Sequence, residues 1–166
     1  MKQLLQYKYP LQLWANNPIL RTISEPITEF TQEIRTFAYD LIELMWIYEW
    51  VWLAAPQVGK PWRIIATTQR KSGKRWEKNT WEIVMINPEI IEKSSQTMIG
   101  EEACLSLPWE QGNVKRYKKI TVSYYDPEWR KHTRKFEDFN ATIVQHEIDH
   151  VDGVLFIDKL VPPKKL

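Results

Sequence analysis

The stretch Gln145-His146-Glu147-Ile148-Asp149-His150-Val151-Asp152-Gly153 decides how this 166-residue chain is built. A run of the form HExxH on a helix sets two imidazoles at i and i+4, one above the other on the same face. Both can reach a single metal ion, and the Glu between them stands beside it as a candidate general base. Phe139, Ile143, Val144, Ile148 and Val151 supply an apolar stripe at helical spacing, and Gly153 is a natural C-terminal stop. Two histidines do not complete a site, because a catalytic centre of this kind keeps three protein ligands and one open position for water. Sixteen residues follow His150, with no His, Glu or Cys among them. The third ligand is therefore expected from upstream.

Cys104 is the candidate. A lone cysteine is often only a small buried apolar side chain. This one sits in Glu101-Glu102-Ala103-Cys104-Leu105-Ser106-Leu107-Pro108, an extended segment leading to a turn rather than a helical apolar face. A third run, Leu53-Ala54-Ala55-Pro56-Gln57-Val58-Gly59, precedes it. The three runs LAAPQVG, EACLSLP and QHEIDH, in this order, resemble the signature motifs of the peptide deformylases. These metallohydrolases remove the formyl group from the N-terminal methionine of new polypeptides. The resemblance extends from Asn17-Pro18-Ile19-Leu20-Arg21 through Gly153-Val154-Leu155-Phe156.

The resemblance implies roles. Cys104, His146 and His150 would bind one divalent metal, with Fe(II) expected and Zn, Ni or Co able to take its place. One thiolate and two imidazoles suit several first-row metals, so the ligands alone do not choose. A metal there would acidify a water near neutral pH, with Glu147 taking its proton and passing it to the departing amine. The Gln57 side-chain amide and the backbone N–H of Leu105 would face the developing oxyanion. The peptide would lie extended against Val51, Trp52 and Ala103, as in strand addition. Val51, Phe139, Ile143 and the His146 ring would wall a pocket for the methionine side chain. Glu102 and Arg116 would pair and brace the Cys104 segment.

The chain departs from the family at glycines. The first motif normally reads GxGLAAxQ, and here Trp50 and Trp52 stand at the two glycines. Trp109 follows Leu107-Pro108 where glycine is usual. Trp129 closes Asp126-Pro127-Glu128-Trp129, which reads as a type I turn that favours Gly at its fourth position. Nine Trp outnumber five Gly, whereas an average chain of this length has roughly 12 Gly at about 7%. Tryptophan is a poor substitute wherever φ > 0 or close backbone approach demands glycine. A common cause is at hand, since GGA and UGA differ by one base and UGA is read as Trp, Gly or stop in different codes. With tryptophans in place, the metal site is expected to survive while Trp52 obstructs the substrate path.

The rest of the chain sets bounds. Its length suits one domain, residues 1–166, with a substantial core. A net charge of +2 argues for no nucleic-acid partner. One Cys excludes an internal disulfide framework, and a ligating thiol must stay reduced, which favours the cytoplasm. The N-terminus lacks the pattern of a signal peptide, and no stretch approaches the roughly 18 apolar residues of a membrane span. The fold class is α+β: antiparallel β-sheets around a central HExxH helix, with an N-terminal helix. That second helix is expected over 31–49, with Ile34, Phe37, Ala38, Leu41, Met45 and Tyr48 at its spacing. Strands are expected at 62–67 and 82–86 around a polar loop, at 120–125 and 133–136 around the Asp-Pro turn, and at 154–157. Lys164 and Lys165 read as a solvated terminus, leaving only transient proximity to the ribosome as an expectation about partners. Two other readings stand beside deformylation: an HExxH metallopeptidase, and a catalytically silent deformylase-like module that binds metal or peptide.

Overall fold

A computed structural model describes residues 2–75, 77, 78 and 80–162. Among these residues three α-helices, α1 (Lys2–Lys8), α2 (Gln32–Ile47) and α3 (Asp138–Val151), accompany seven strands. These are β1 (Trp52–Ala54), β2 (Ile64–Arg70), β3 (Thr80–Lys93), β4 (Thr97–Cys104), β5 (Leu107–Tyr117), β6 (Lys119–Tyr125) and β7 (Lys131–Glu137). A five-stranded antiparallel sheet runs β1-β2-β3-β6-β7, and β4 and β5 form a separate hairpin.

The period-2 alternation of β2 and β3 divides the core into two layers. Ile64 and Ala66 of β2, with Val84 and Ile86 of β3, pack against Ile34, Phe37, Ala38, Leu41, Leu44 and Met45 of α2. Their neighbours Ile65, Ile83 and Met85 point the other way, onto Ala141, Val144, Ile148 and Val151 of α3. The sheet thus lies between the two helices. Thr31 caps α2 by accepting the Ile34 N–H at 3.3 Å. A third cluster, with Leu20, Cys104, Leu107, Val114, Leu155 and Phe156, lies beneath the β4–β5 hairpin.

Helix α3 ends as its sequence implies. The Val154 N–H reaches the Asp149 carbonyl at 2.9 Å and the Gly153 N–H reaches that of His150 at 3.2 Å. Gly153 holds φ +72°. This is the Schellman pattern, with glycine in the left-handed position.

Three expectations need correction. Residues 154–157 form no strand; Phe156–Lys159 is a 3-10 turn instead. The Asp158 carboxylate accepts the Leu155 N–H at 2.9 Å and is held by Arg21, which curls the segment. The strand expected from Trp62 begins at Ile64. Trp62 and Arg63 stay outside it, and Arg63 reaches the Val151 carbonyl and Asp152. Strand β3 runs seven residues beyond 86, bending where its register against β6 shifts after Ile86 and again after Ile90. Lys164 and Lys165 lie outside the described residues.

A Cβ at Gly153 would fall 2.7 Å from the Arg21 carbonyl oxygen, whereas one at Gly100 meets nothing within 4 Å. Gly153→Ala is expected to cost about 2–5 kcal/mol, from left-handed backbone at about 1–2 and overpacking at about 1–3. Gly100→Ala should stay within about 0.5 kcal/mol. Urea unfolding of both variants checks this, and equal midpoints would refute it.

Candidate metal centre

From Ala141 to Val151 every residue of α3 is buried, so this is a central helix and not a surface one. Its sheet-facing side is apolar, and its other side carries His146 and His150, with ring centroids 5.0 Å apart. Strand β4 ends at Cys104 against that side. The Cys104 Sγ lies 3.2 Å from His150 Nε2, and one donor atom from each of Cys104, His146 and His150 lies within 4.8 Å of the others. Among the described residues no other His, Cys, Asp or Glu group converges in this way.

The donor set fits a divalent metal. His146 gives its Nδ1–H to Glu102 at 2.8 Å, which leaves Nε2 as a lone-pair donor. That nitrogen is buried without a hydrogen-bond partner, as are both carboxylate oxygens of Glu147. A carboxylate behind the imidazole is the arrangement that fixes a ligating histidine's tautomer and orientation. Buried polar atoms lacking partners are costly, and a cation would satisfy them.

Electrostatics point the same way. Burial, then the nearby Glu147 carboxyl, pushes the Cys104 thiol up to about 12. Burial, followed by Glu102 and Asp149, raises Glu147 well above the carboxylate range. Burial, followed by His146, keeps His150 neutral by lowering it strongly. Burial thus disfavours the charged forms of Cys104, Glu147 and His150, and a bound cation would reverse that preference for thiolate and carboxylate.

Glu102 is the exception. Burial opposes its charge, yet hydrogen bonds from Arg116 and His146 bring it down to about 2. Arg116 on β5 meets Glu102 through two bonds, at 2.8 and 2.9 Å, and also meets Asp149 on α3. The brace expected from sequence is therefore present, and Asp149 is a partner the sequence did not reveal. Its place inside the HExxH run, among groups assigned to chemistry, concealed it.

Gln57 sits in the 3-10 turn Ala55–Val58 directly after β1. Its Oε1 accepts the Ala54 N–H at 2.8 Å, and its Nε2 points to Ser106 Oγ at 3.1 Å and Cys104 Sγ at 3.5 Å. Gln57 and Ser106 are both fully buried. Ser106 was missed from sequence, although its position two residues past Cys104 was a usable signal. Leu105 lies in the turn between β4 and β5, half-buried. The expected substrate positions gather nearby. Trp52 begins β1 with its ring 5.9 Å from the rings of both Phe139 and His146. Ile143 is buried on α3. The half-buried Val51 accepts the Thr68 N–H at 2.8 Å through its carbonyl. Ala103, also half-buried, lines a cleft of about 440 Å³ with Cys104, Leu105 and Trp50.

Residues 12–166 match the family model described as Polypeptide deformylase. The chain belongs to the peptide deformylase family. It is 39% identical over 146 residues to the peptide deformylase of Bradyrhizobium diazoefficiens, covering 88% of this chain and 84% of that protein. Against that of Afipia carboxidovorans it is 40% identical over 146 residues, 88% of this chain and 83% of the relative. The crystal structure of peptide deformylase from Thermotoga maritima superposes with a TM-score of 0.82 at 33% identity, covering 93% of this chain and 98% of that one. A Met-Ala-Ser-bound peptide deformylase from Acinetobacter baumannii gives 0.82 at 31% identity, covering 92% and 98%. Deformylases are metalloenzymes that hydrolyse the formyl group from N-terminal formyl-methionine, and that is this chain's activity.

Arg116→Ala would remove the guanidinium from two buried carboxylates, leaving Glu102 with only the His146 Nδ1–H and Asp149 with only Lys159, at about 3–5 kcal/mol. The ionised Glu102 lends stability that is complete above its ordinary value of 4.5 and is lost as pH falls toward about 2. Urea titrations between those limits should show that fall in the parent chain and a flatter profile in Glu102→Gln. Identical profiles would refute the assignment.

Proposed function

We propose that Cys104, His146 and His150 hold one divalent cation, Fe(II) by preference with Zn, Ni or Co able to replace it, and that Glu147 moves the protons of deformylation. The observation that carries this reading is one sulfur and two imidazoles within 4.8 Å, with an unpartnered buried carboxyl next to them. When bound, the cation supplies a Lewis acid that acidifies water and polarises the formyl carbonyl.

The chain's own residues supply the rest. Burial raises Glu147 above the ordinary carboxylate range, the direction that suits a group taking a proton from the attacking water and returning one to the departing amine. The Gln57 Nε2–H and the Leu105 N–H donate to the oxygen that gains charge at the formyl carbon. Ser106 and the Ala54 N–H hold the Gln57 amide in that orientation. Among the described residues β1 pairs only with β2, and β4 only with β5, so each keeps one edge that no described strand covers. An extended peptide adds to such an edge, with Val51, Trp52 and Ala103 alongside and Phe139, Ile143 and the His146 ring about its first side chain. Residues 1–166 act as one catalytic domain.

Sulfur as third ligand, upstream of the helix, favours deformylation over internal peptide cleavage. The ligating thiol must remain reduced, which supports the reading of a cytoplasmic enzyme acting on nascent chains near the ribosome. No helix among the described residues is long and apolar enough to cross a membrane.

The test is hydrolysis of formyl-Met-Ala-Ser by protein loaded with Fe(II) or Ni(II), run on this chain and on its Trp50→Gly/Trp52→Gly version. Cys104→Ala is expected to lose both metal and activity. Glu147→Gln should retain the metal and lose about 10²–10⁴ in kcat, and Gln57→Ala about 10²–10³. Full turnover by Glu147→Gln, or stoichiometric metal in Cys104→Ala, would contradict the assignment.

A further inference from the structure

Three tryptophans hold a backbone conformation that their side chains oppose. Trp14, Trp109 and Trp129 have φ of 78°, 75° and 62°. In this left-handed region Cβ crowds the following carbonyl, and glycine is the routine occupant. The other non-glycine residues there are Glu49, Asn87 and Asp138 among those described, and Asn and Asp tolerate it. Local structure fixes each site. The Asn17 N–H closes a turn on the Trp14 carbonyl at 3.1 Å, and the Trp129 N–H closes another on Asp126 at 2.9 Å. Trp109 lies between Leu107 and Gln111, where the β4–β5 register shifts. Trp109 is 96% exposed, so no packing offsets the strain there, whereas Trp129 stacks on Phe30 at 4.9 Å and Tyr125 at 4.4 Å and bears its strain against that packing.

A different observation singles out Trp50 and Trp52. Both indole N–H groups are buried without a hydrogen-bond partner, a destabilising arrangement that a tryptophan in its own setting avoids. The two rings meet at 5.7 Å, and that of Trp52 fills the space beside His146. Three other tryptophans sit where tryptophan belongs. Trp46 is inside α2, where glycine is unfavourable. Trp62 packs edge-on to Phe37 at 5.1 Å, and Trp81 lies under the Arg134 guanidinium at 5.3 Å.

We propose that the cell makes this chain with glycine at 14, 50, 52, 109 and 129 and tryptophan at 46, 62 and 81, reading its UGA codons as glycine and UGG as tryptophan. Position 14 emerges from backbone geometry alone. The consequence for catalysis rests on the deformylase reading: glycine at 52 turns an indole's volume beside His146 into room for the side chain of the formylated residue.

Peptide mass spectrometry of the protein isolated from its source cells tests the assignment directly. Glycine masses at the five positions with tryptophan at 46, 62 and 81 are expected, together with UGA and UGG codons in the same partition. Tryptophan masses at the five overturn the proposal and leave deformylation standing. In the tryptophan-bearing chain, Trp109→Gly and Trp14→Gly should raise the thermal midpoint while Trp62→Gly lowers it. A fall in all three overturns the strain argument. Trp52→Gly should raise kcat/KM on formyl-Met-Ala-Ser by about tenfold or more, since even one methylene in an apolar pocket shifts discrimination that far. An unchanged value overturns the claim about room at 52, whereas absence of turnover in every version counts against the deformylase reading itself.

Discussion

Arg116 joins the strand that ends in Cys104 to the helix that carries His146 and His150. Its guanidinium meets Glu102 on β4 and Asp149 on α3, and Glu102 in turn receives the His146 Nδ1–H. One cation thus sets how the β4–β5 hairpin lies against α3, and with it the distance between sulfur and imidazole. All four side chains are at most 8% exposed as residues. Removing such charges from water is expensive, so the cluster adds little net stability over an apolar packing of the same volume. What it supplies is position: the carboxylate selects the His146 tautomer and leaves Nε2 facing Cys104.

That precision serves a buried site where ionisation is opposed. The thiol and the Glu147 carboxyl are both driven up, and His150 is driven down, by burial first and neighbouring charge second. A divalent cation is the economical remedy, because it favours thiolate and carboxylate together while leaving the imidazoles neutral. Metal uptake is accordingly coupled to proton release. The same burial strengthens the hydrogen bonds that Gln57 can aim at a charged oxygen.

Much of this was legible in the sequence because the decisive signals are local. The HExxH spacing, the stripe from Val144 to Val151 and the Gly153 stop all lie within one helix. Thr31 and the Ile34–Met45 stripe marked α2 to within two residues. Cys104 became legible through motif resemblance, since no periodicity links it to residues more than forty positions away. Other features depend on tertiary context. Residues 154–157 are apolar enough for a strand, but the Asp158 cap and its tie to Arg21 curl them into a turn. The register shift of β3 after Ile86 coincides with Asn87, whose side chain binds both Ile27 backbone groups at 2.8 Å from sixty residues away. Asp149 and Ser106 act through partners on other elements, and the left-handed backbone at Trp14 leaves no mark in composition.

The claim beneath the rest is that one thiolate and two imidazoles share a cation. X-ray absorption at the metal edge, on protein loaded with Fe(II) or Zn, tests it most directly. One sulfur scatterer at about 2.3 Å and two nitrogens at about 2.0–2.1 Å are expected for zinc, with the sulfur lost in Cys104→Ala. A first shell of nitrogen and oxygen alone in the parent protein would contradict it.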